Sequence, residues 1–168
     1  MMYICLAGHP KSKAPRKGVG LHSLLAWARF IRKESAMLTY SYKYAAEKRL
    51  SPHFRVREFH SRHDPSDIVK VDERLLTLLE NIRNFTGKPV HINSGYRSRE
   101  YNATIKNASP RSQHCNGMAA DIWVEGVTPS RIAEIAEGYL GSSGGIGIYR
   151  TFTHVDVRPN KSRWKGAY

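Results

Sequence analysis

Behind Asp72 the apolar positions Leu75, Leu78, Leu79, Ile82 and Phe85 recur every three or four residues. That spacing predicts a helix capped by the aspartate side chain, burying those five residues as one stripe and stopping at Gly87. The rhythm then changes. Residues 89–93 read as a strand that delivers Ser94, Gly95, Tyr96 and Arg97 to a rim, and residues 118–124 form an apolar run interrupted only by Asp121. Such a run is the pattern of a buried strand. Residues 144–149 and 152–157 predict two more short strands with a turn at Arg150-Thr151. Side chains two apart in a strand share a face, so Phe152, His154 and Asp156 point one way while Val155 and Val157 pack on the other. A second helix is expected to begin near Ser98. A third starts at Thr128-Pro129 and turns Ile132, Ile135 and Ala136 inward. Ser51, Pro52, His53 and Phe54 open this unit, with a short element around Arg57, Glu58 and Phe59. Together these elements predict one α+β domain, a small sheet with helices packed on it.

The first 38 residues have a different texture, and the boundary is drawn there: a basic N-terminal extension over 1–38 and a folded domain over 39–168. Residues 8–18 are rich in Gly, Pro and basic side chains and offer little to bury. Leu21, Leu24, Leu25, Ala28 and Ile31 follow at helical spacing with Arg29, Arg32 and Lys33 between them, which predicts an amphipathic helix over about 21–36. It is too short and too charged to span a bilayer, and Arg29 breaks the apolar run that a secretory signal requires.

With 168 residues, the chain is long enough for one hydrophobic core. Its 27 Lys and Arg against 14 Asp and Glu give a net charge of +13, and residues 1–49 hold ten of the cations against two acids. Such a balance attracts polyanions. No zinc-finger spacing, helix-turn-helix signal or RNA-binding aromatic motif accompanies it, so a specific nucleic-acid partner is not expected. The two cysteines, Cys5 and Cys115, form no Cys-x-x-Cys pair and read as free thiols, Cys115 pointing away from its neighbour His114 in an extended segment.

Chemistry concentrates in two segments. Ser112-Gln113-His114-Cys115-Asn116-Gly117-Met118-Ala119-Ala120-Asp121 is followed 33 residues later by His154-Val155-Asp156. Two imidazoles and a carboxylate are a zinc-type ligand set, and catalytic zinc sites use three protein ligands with the fourth position left to water. Any one of these histidines alone reads more simply as a core histidine bonded to a neighbouring acid. His53, His60, His63 and His91 lie outside both segments and are expected to be surface or core histidines.

These pieces, together with Ile92-Asn93-Ser94-Gly95-Tyr96-Arg97-Ser98, Gly145-Ile146-Gly147-Ile148-Tyr149 and His154-Val155-Asp156-Val157-Arg158, resemble the zinc peptidases of peptidoglycan. That superfamily holds D-alanyl-D-alanine carboxypeptidases, L-alanyl-D-glutamate endopeptidases and hedgehog-like domains. The resemblance runs from about Leu50 to the C-terminus and implies a mainly antiparallel sheet of hedgehog-like topology. It also implies one Zn²⁺ per chain held by His114, Asp121 and His154. Arg97 would hold a substrate carboxylate or carbonyl, and Ser112 would help position the peptide. As an alternative, Arg97 would pair structurally with an acid such as Glu100. The implied partners are peptidoglycan stem peptides, with anionic wall polymers as a further attraction for the basic segment, and the implied state is a monomer. The resemblance departs from the family pattern at the general base. An acid three positions before the last ligand is replaced by Thr151, and a histidine two positions before it by Phe152. Asp156 is the nearest carboxylate, either as the base or as an acceptor that orients His154. The other class left open is a binding module that keeps the fold and the metal without turnover.

Overall fold

The computed structural model describes residues 36–166. The amphipathic helix expected over 21–36 and Cys5 lie outside the described residues.

Two antiparallel strands, β1 (Met37–Ser41) and β2 (Ile68–Asp72), pair with Met37 opposite Asp72 and Ser41 opposite Ile68. Neither strand was legible in the apolar pattern. A four-residue helix, α1 (Tyr42–Ala45), and a 3₁₀ turn at Val56–Phe59 lie between them, and the turn buries Val56 and Phe59. Strand β2 runs straight into α2 (Glu73–Thr86), because Asp72 caps the helix by accepting the Arg74 N–H at 2.8 Å. Its buried residues are Leu75, Leu76, Leu78, Leu79 and Ile82. Phe85, expected in the stripe, is instead 49% exposed, with the Arg131 guanidinium 5.7 Å above its ring. The helix ends one residue later at Thr86, capped by Gly87, and Leu76 takes the fifth buried place.

The main sheet contains five strands: β3 (Val90–Ser94), β4 (Ala119–Val124), β5 (Gly145–Ile148), β6 (Thr153–Asp156) and β7 (Ser162–Lys165). Their order is β3-β4-β6-β5-β7, with every pairing antiparallel except β5 with β7. Strand β7 is a further element the sequence pattern did not reveal. Helix α3 (Arg99–Thr104) starts behind its cap Ser98, and α4 (Pro129–Leu140) behind Thr128. Helices α2 and α4 pack on each other and on one face of the sheet. There Leu75, Leu79, Ile82, Ile132 and Ala136 form the core with Ala120, Ile122, Val124, Ile146 and Val155. The alternate residues of the same strands therefore face the opposite side. Among the described residues no helix is long and apolar enough to cross a membrane.

Candidate metal centre

Register brings the ligand candidates together on that second face. Asp121 of β4 lies opposite His154 of β6, and Ser94 of β3 opposite Asp121 on its other side. His114 comes from elsewhere, a 3₁₀ turn at Gln113–Asn116 rather than the extended segment expected there. Ser112 starts that turn, its hydroxyl accepting the His114 N–H at 3.4 Å. Gly117 ends it at φ 67, where a side chain would meet the Lys70 carbonyl at 2.6 Å, so the turn sits directly against β2. Within it His114 is buried, while Cys115 is a half-buried free thiol beside Tyr96 and Lys70 in a separate pocket.

Three donor atoms converge. His114 Nε2 lies 3.2 Å from His154 Nδ1 and 3.3 Å from Asp121 Oδ1, and His154 Nδ1 lies 2.9 Å from Asp121 Oδ1. Ligands about 2.0–2.2 Å from a tetrahedral zinc stand roughly 3.3 Å apart, so the triangle has the size such an ion needs. The far nitrogens are also engaged: His114 Nδ1 with the Gly95 carbonyl at 2.6 Å, and His154 Nε2 with Asp156 Oδ2 at 3.1 Å. If both far nitrogens carry their protons, the two near nitrogens present bare lone pairs toward Asp121. A cation resolves that arrangement, and anchoring of the far nitrogen is the habitual support of a metal-bound histidine. Among the described residues, this is the group of side chains with metal-ligand potential. His53 is bonded to Glu80, His60 stacks on Tyr42, and His91 stacks on Trp123.

The charges respond to burial and to each other. Burial pushes the His114 ring toward its neutral form, below the usual histidine range, against the pull of Asp121. Burial acts the same way on His154, but hydrogen bonds to Asp121 and Asp156 outweigh it and raise that ring's pKa. Asp121 is disfavoured as an anion by its burial, yet the two imidazoles hold its carboxyl far below the ordinary range. Asp156 is likewise held low against burial, by His154 and by Arg158.

Around the triangle, three residues given no role in the sequence reading shape the site. Arg158 grips Asp156 through both its Nε, at 2.8 Å, and its Nη2, at 2.5 Å, and the Gly145 N–H adds a bond at 2.9 Å. Trp164 reaches across from β7, its ring 5.1 Å from that of His154. Ser94 accepts from Arg97 Nε at 2.8 Å, while Arg97 Nη2 donates to Asp121 at 2.8 Å, so Arg97 does not use Glu100. The sequence did carry a signal for Trp164, and another for the place of Asp156. Gly145 and Gly147 alternate on the same face as His154 and Asp156, and a side chain on either would collide with the Asp156 carboxylate or the Trp164 ring. Paired glycines on a functional face mark something large lying on the strand.

The triangle lines a cleft of about 600 Å³ together with the loop that leads into Ser112 and with Tyr149, Phe152 and Trp164. Arg97 and Ser112 line it with His114, Asp121 and His154, whereas Asp156 does not. Asp156 is fully buried behind His154.

A His–Asp–His triangle in an open cleft is a group that could hold a metal ion, as a metallopeptidase needs. The chain belongs to the peptidase M15 family, whose pattern matches residues 52–156. It is 30% identical over 113 residues to the peptidoglycan L,D-endopeptidase MepK of Escherichia coli K12, covering 62% of this chain and 61% of that one. The probable peptidoglycan L,D-endopeptidase MepK of Haemophilus influenzae is 32% identical over 110 residues, covering 60% and 58%. The chain thus spans about three fifths of the length of these curated relatives.

Proposed function

We propose that the protein is a zinc-dependent peptidase that hydrolyses peptide bonds in the stem peptides of peptidoglycan, acting as an endopeptidase. The observation that carries this reading is the triangle of His114 Nε2, Asp121 Oδ1 and His154 Nδ1, with edges of 2.9–3.3 Å, inside a peptidase M15 domain. The relatives named as L,D-endopeptidases favour an internal bond over a terminal one.

Zinc held by these three residues would supply a water nucleophile active near neutral pH and a Lewis acid for the scissile carbonyl. The remaining roles belong to the chain. Asp156 orients His154 by accepting its Nε2–H, so that Nδ1 faces Asp121 and would be free to hold a zinc ion. Support comes from its position behind the ring, away from the cleft, and from the Arg158 and Gly145 bonds that occupy its oxygens. Arg97, with a planar fork of donors at the cleft wall, holds a substrate carboxylate or the carbonyl next to the cut. Ser112 lines the same wall and offers a hydroxyl to the peptide backbone. Burial of the triangle, with Trp164 against one side of His154, keeps bulk water from screening these charges.

Mass spectrometry of purified sacculi incubated with the zinc-loaded protein tests the reading. Release of cross-linked stems as shorter peptides is expected. Loss of a single terminal alanine would make it a carboxypeptidase, and unchanged sacculi with metal bound would favour the binding-module class.

A further inference from the structure

The cleft's charge is lopsided. Four cationic side chains line it, Arg97, Lys106, Arg111 and Arg158, against the single acid Asp121. Two of the four are already engaged at its floor, Arg97 with Asp121 and Arg158 with Asp156. Lys106 and Arg111 have no ion-pair or hydrogen-bond partner for their charged ends among the described residues, and both are exposed. They stand on the stretch between α3 and the ligand turn, whose course is fixed. The buried Asn102 donates to the Ser109 carbonyl at 2.9 Å, Ser112 N–H reaches the same carbonyl at 3.1 Å, and the Arg111 N–H bonds the Ser109 hydroxyl at 3.2 Å. Between the two cations, Asn107 takes a left-handed φ of 63°, a conformation that an asparagine tolerates and most side chains resist. A wall that is braced on its inner side and holds two unneutralised cations beside the metal triangle is suited to an anion at a distance from the reacting bond.

We propose that Lys106 and Arg111 form a specificity subsite that reads a second, free carboxylate on the stem peptide, borne by the residue flanking the cut, and so discriminates against substrates in which that group is amidated. The proposal rests on the peptidase reading above and adds to it which substrates are preferred. A carboxylate accepts charge-assisted hydrogen bonds from both side chains, whereas a carboxamide offers a neutral acceptor and brings an N–H₂ that faces two cations. Arg111 is suited to bidentate contact and Lys106 to a single point charge.

The test uses the zinc-loaded full chain and two soluble stem peptides that differ only in a carboxylate or carboxamide on the residue flanking the cut. Binding is followed by calorimetry and cleavage by chromatography. The wild-type protein is expected to bind the carboxylate peptide about tenfold more tightly, the effect of one charged hydrogen bond. The difference should appear in KM rather than kcat. In Lys106→Ala/Arg111→Ala the ratio is expected to fall to within about twofold, and Arg111→Glu should invert it. Arg131→Ala, which removes a cation on α4 outside the cleft, should keep it. Equal binding of both peptides by the wild-type protein overturns the inference and leaves the peptidase reading standing. A ratio unchanged in the double variant, or lost equally in Arg131→Ala, overturns it as well, because net charge and not a subsite would then be responsible. Binding of neither peptide removes both readings.

Discussion

Strands β4 and β6 present two faces built from alternate residues, and the faces obey opposite rules. On one, Ala120, Ile122, Val124 and Val155 are buried against α2 and α4, and their contribution is the removal of apolar surface from water. On the other, Asp121, His154 and Asp156 are buried to nearly the same degree, although each carries or shares a charge. Burying a charge is costly unless it is paired. Here Asp121 faces two imidazoles and Arg97, and Asp156 faces His154 and Arg158. One residue of register separates the face that stabilises from the face that gathers the candidate metal ligands.

That separation can be broken most directly at the metal. His114→Ala removes one corner of the triangle and is expected to abolish stoichiometric zinc binding, measured by metal analysis after dialysis, with turnover falling to background. Circular dichroism should stay native, because the side chain lies outside the core cluster. On the opposite face, Ile122→Ala should cost about 2–5 kcal/mol in denaturant unfolding. The fraction that remains folded should still hold one zinc. Metal loss from that folded fraction would show that the two faces are not independent.

Asp156 sits at the seam. As the acceptor that orients His154, its replacement in Asp156→Asn should lower zinc affinity by about 10–100-fold and carry activity down with it. An activity loss of ~10²-fold or more at unchanged affinity would instead make Asp156 the proton acceptor. Competition titration with a chelator separates the two outcomes.

Proton competition gives a smaller, graded effect. The raised pKa of His154 means that protons compete with the metal for that ring, while burial of His114 weakens such competition there. Zinc affinity should therefore weaken about tenfold per pH unit below the raised pKa of His154 and level off above it. Without metal the signs are opposite for the two kinds of group. The His154 contribution to stability is full below the unfolded pKa of about 6.5 and fades as pH rises through its raised folded value. The Asp121 and Asp156 contributions are present above about pH 4 and fade as pH falls through their depressed values. Thermal melts of chelator-treated and zinc-loaded protein across pH should differ in this way, the loaded form lacking the loss at high pH. The smallest effect belongs to neither face. Phe85, exposed in the last turn of α2, should tolerate alanine within about 0.5 kcal/mol.

Much of this was present in local sequence. The periodicity behind Asp72, the run at 118–124 and the caps at Ser98 and Thr128 specified their elements, because caps and amphipathic stripes act between residues a few positions apart. His114, Asp121 and His154 were legible as a candidate ligand set from residue type and from the family likeness, which also singled out Arg97 and Ser112, and all five line one cleft. Strands β1, β2 and β7 were not, since each depends on a partner: Leu38 finds Val71, and Trp164 finds Gly147, only once the chain has closed. Phe85 was misread for the same reason, as periodicity says which way a side chain points but not whether another surface covers it. Sequence by itself thus determined which residues share a strand face and which atoms can bind a metal, both fixed by local geometry and side-chain chemistry. Only tertiary structure decided that His154 turns Nδ1 toward Asp121 and Nε2 toward Asp156, and that Lys106 and Arg111 keep unpaired charges at the cleft. Those depend on distances between elements far apart in the chain, which no local pattern encodes.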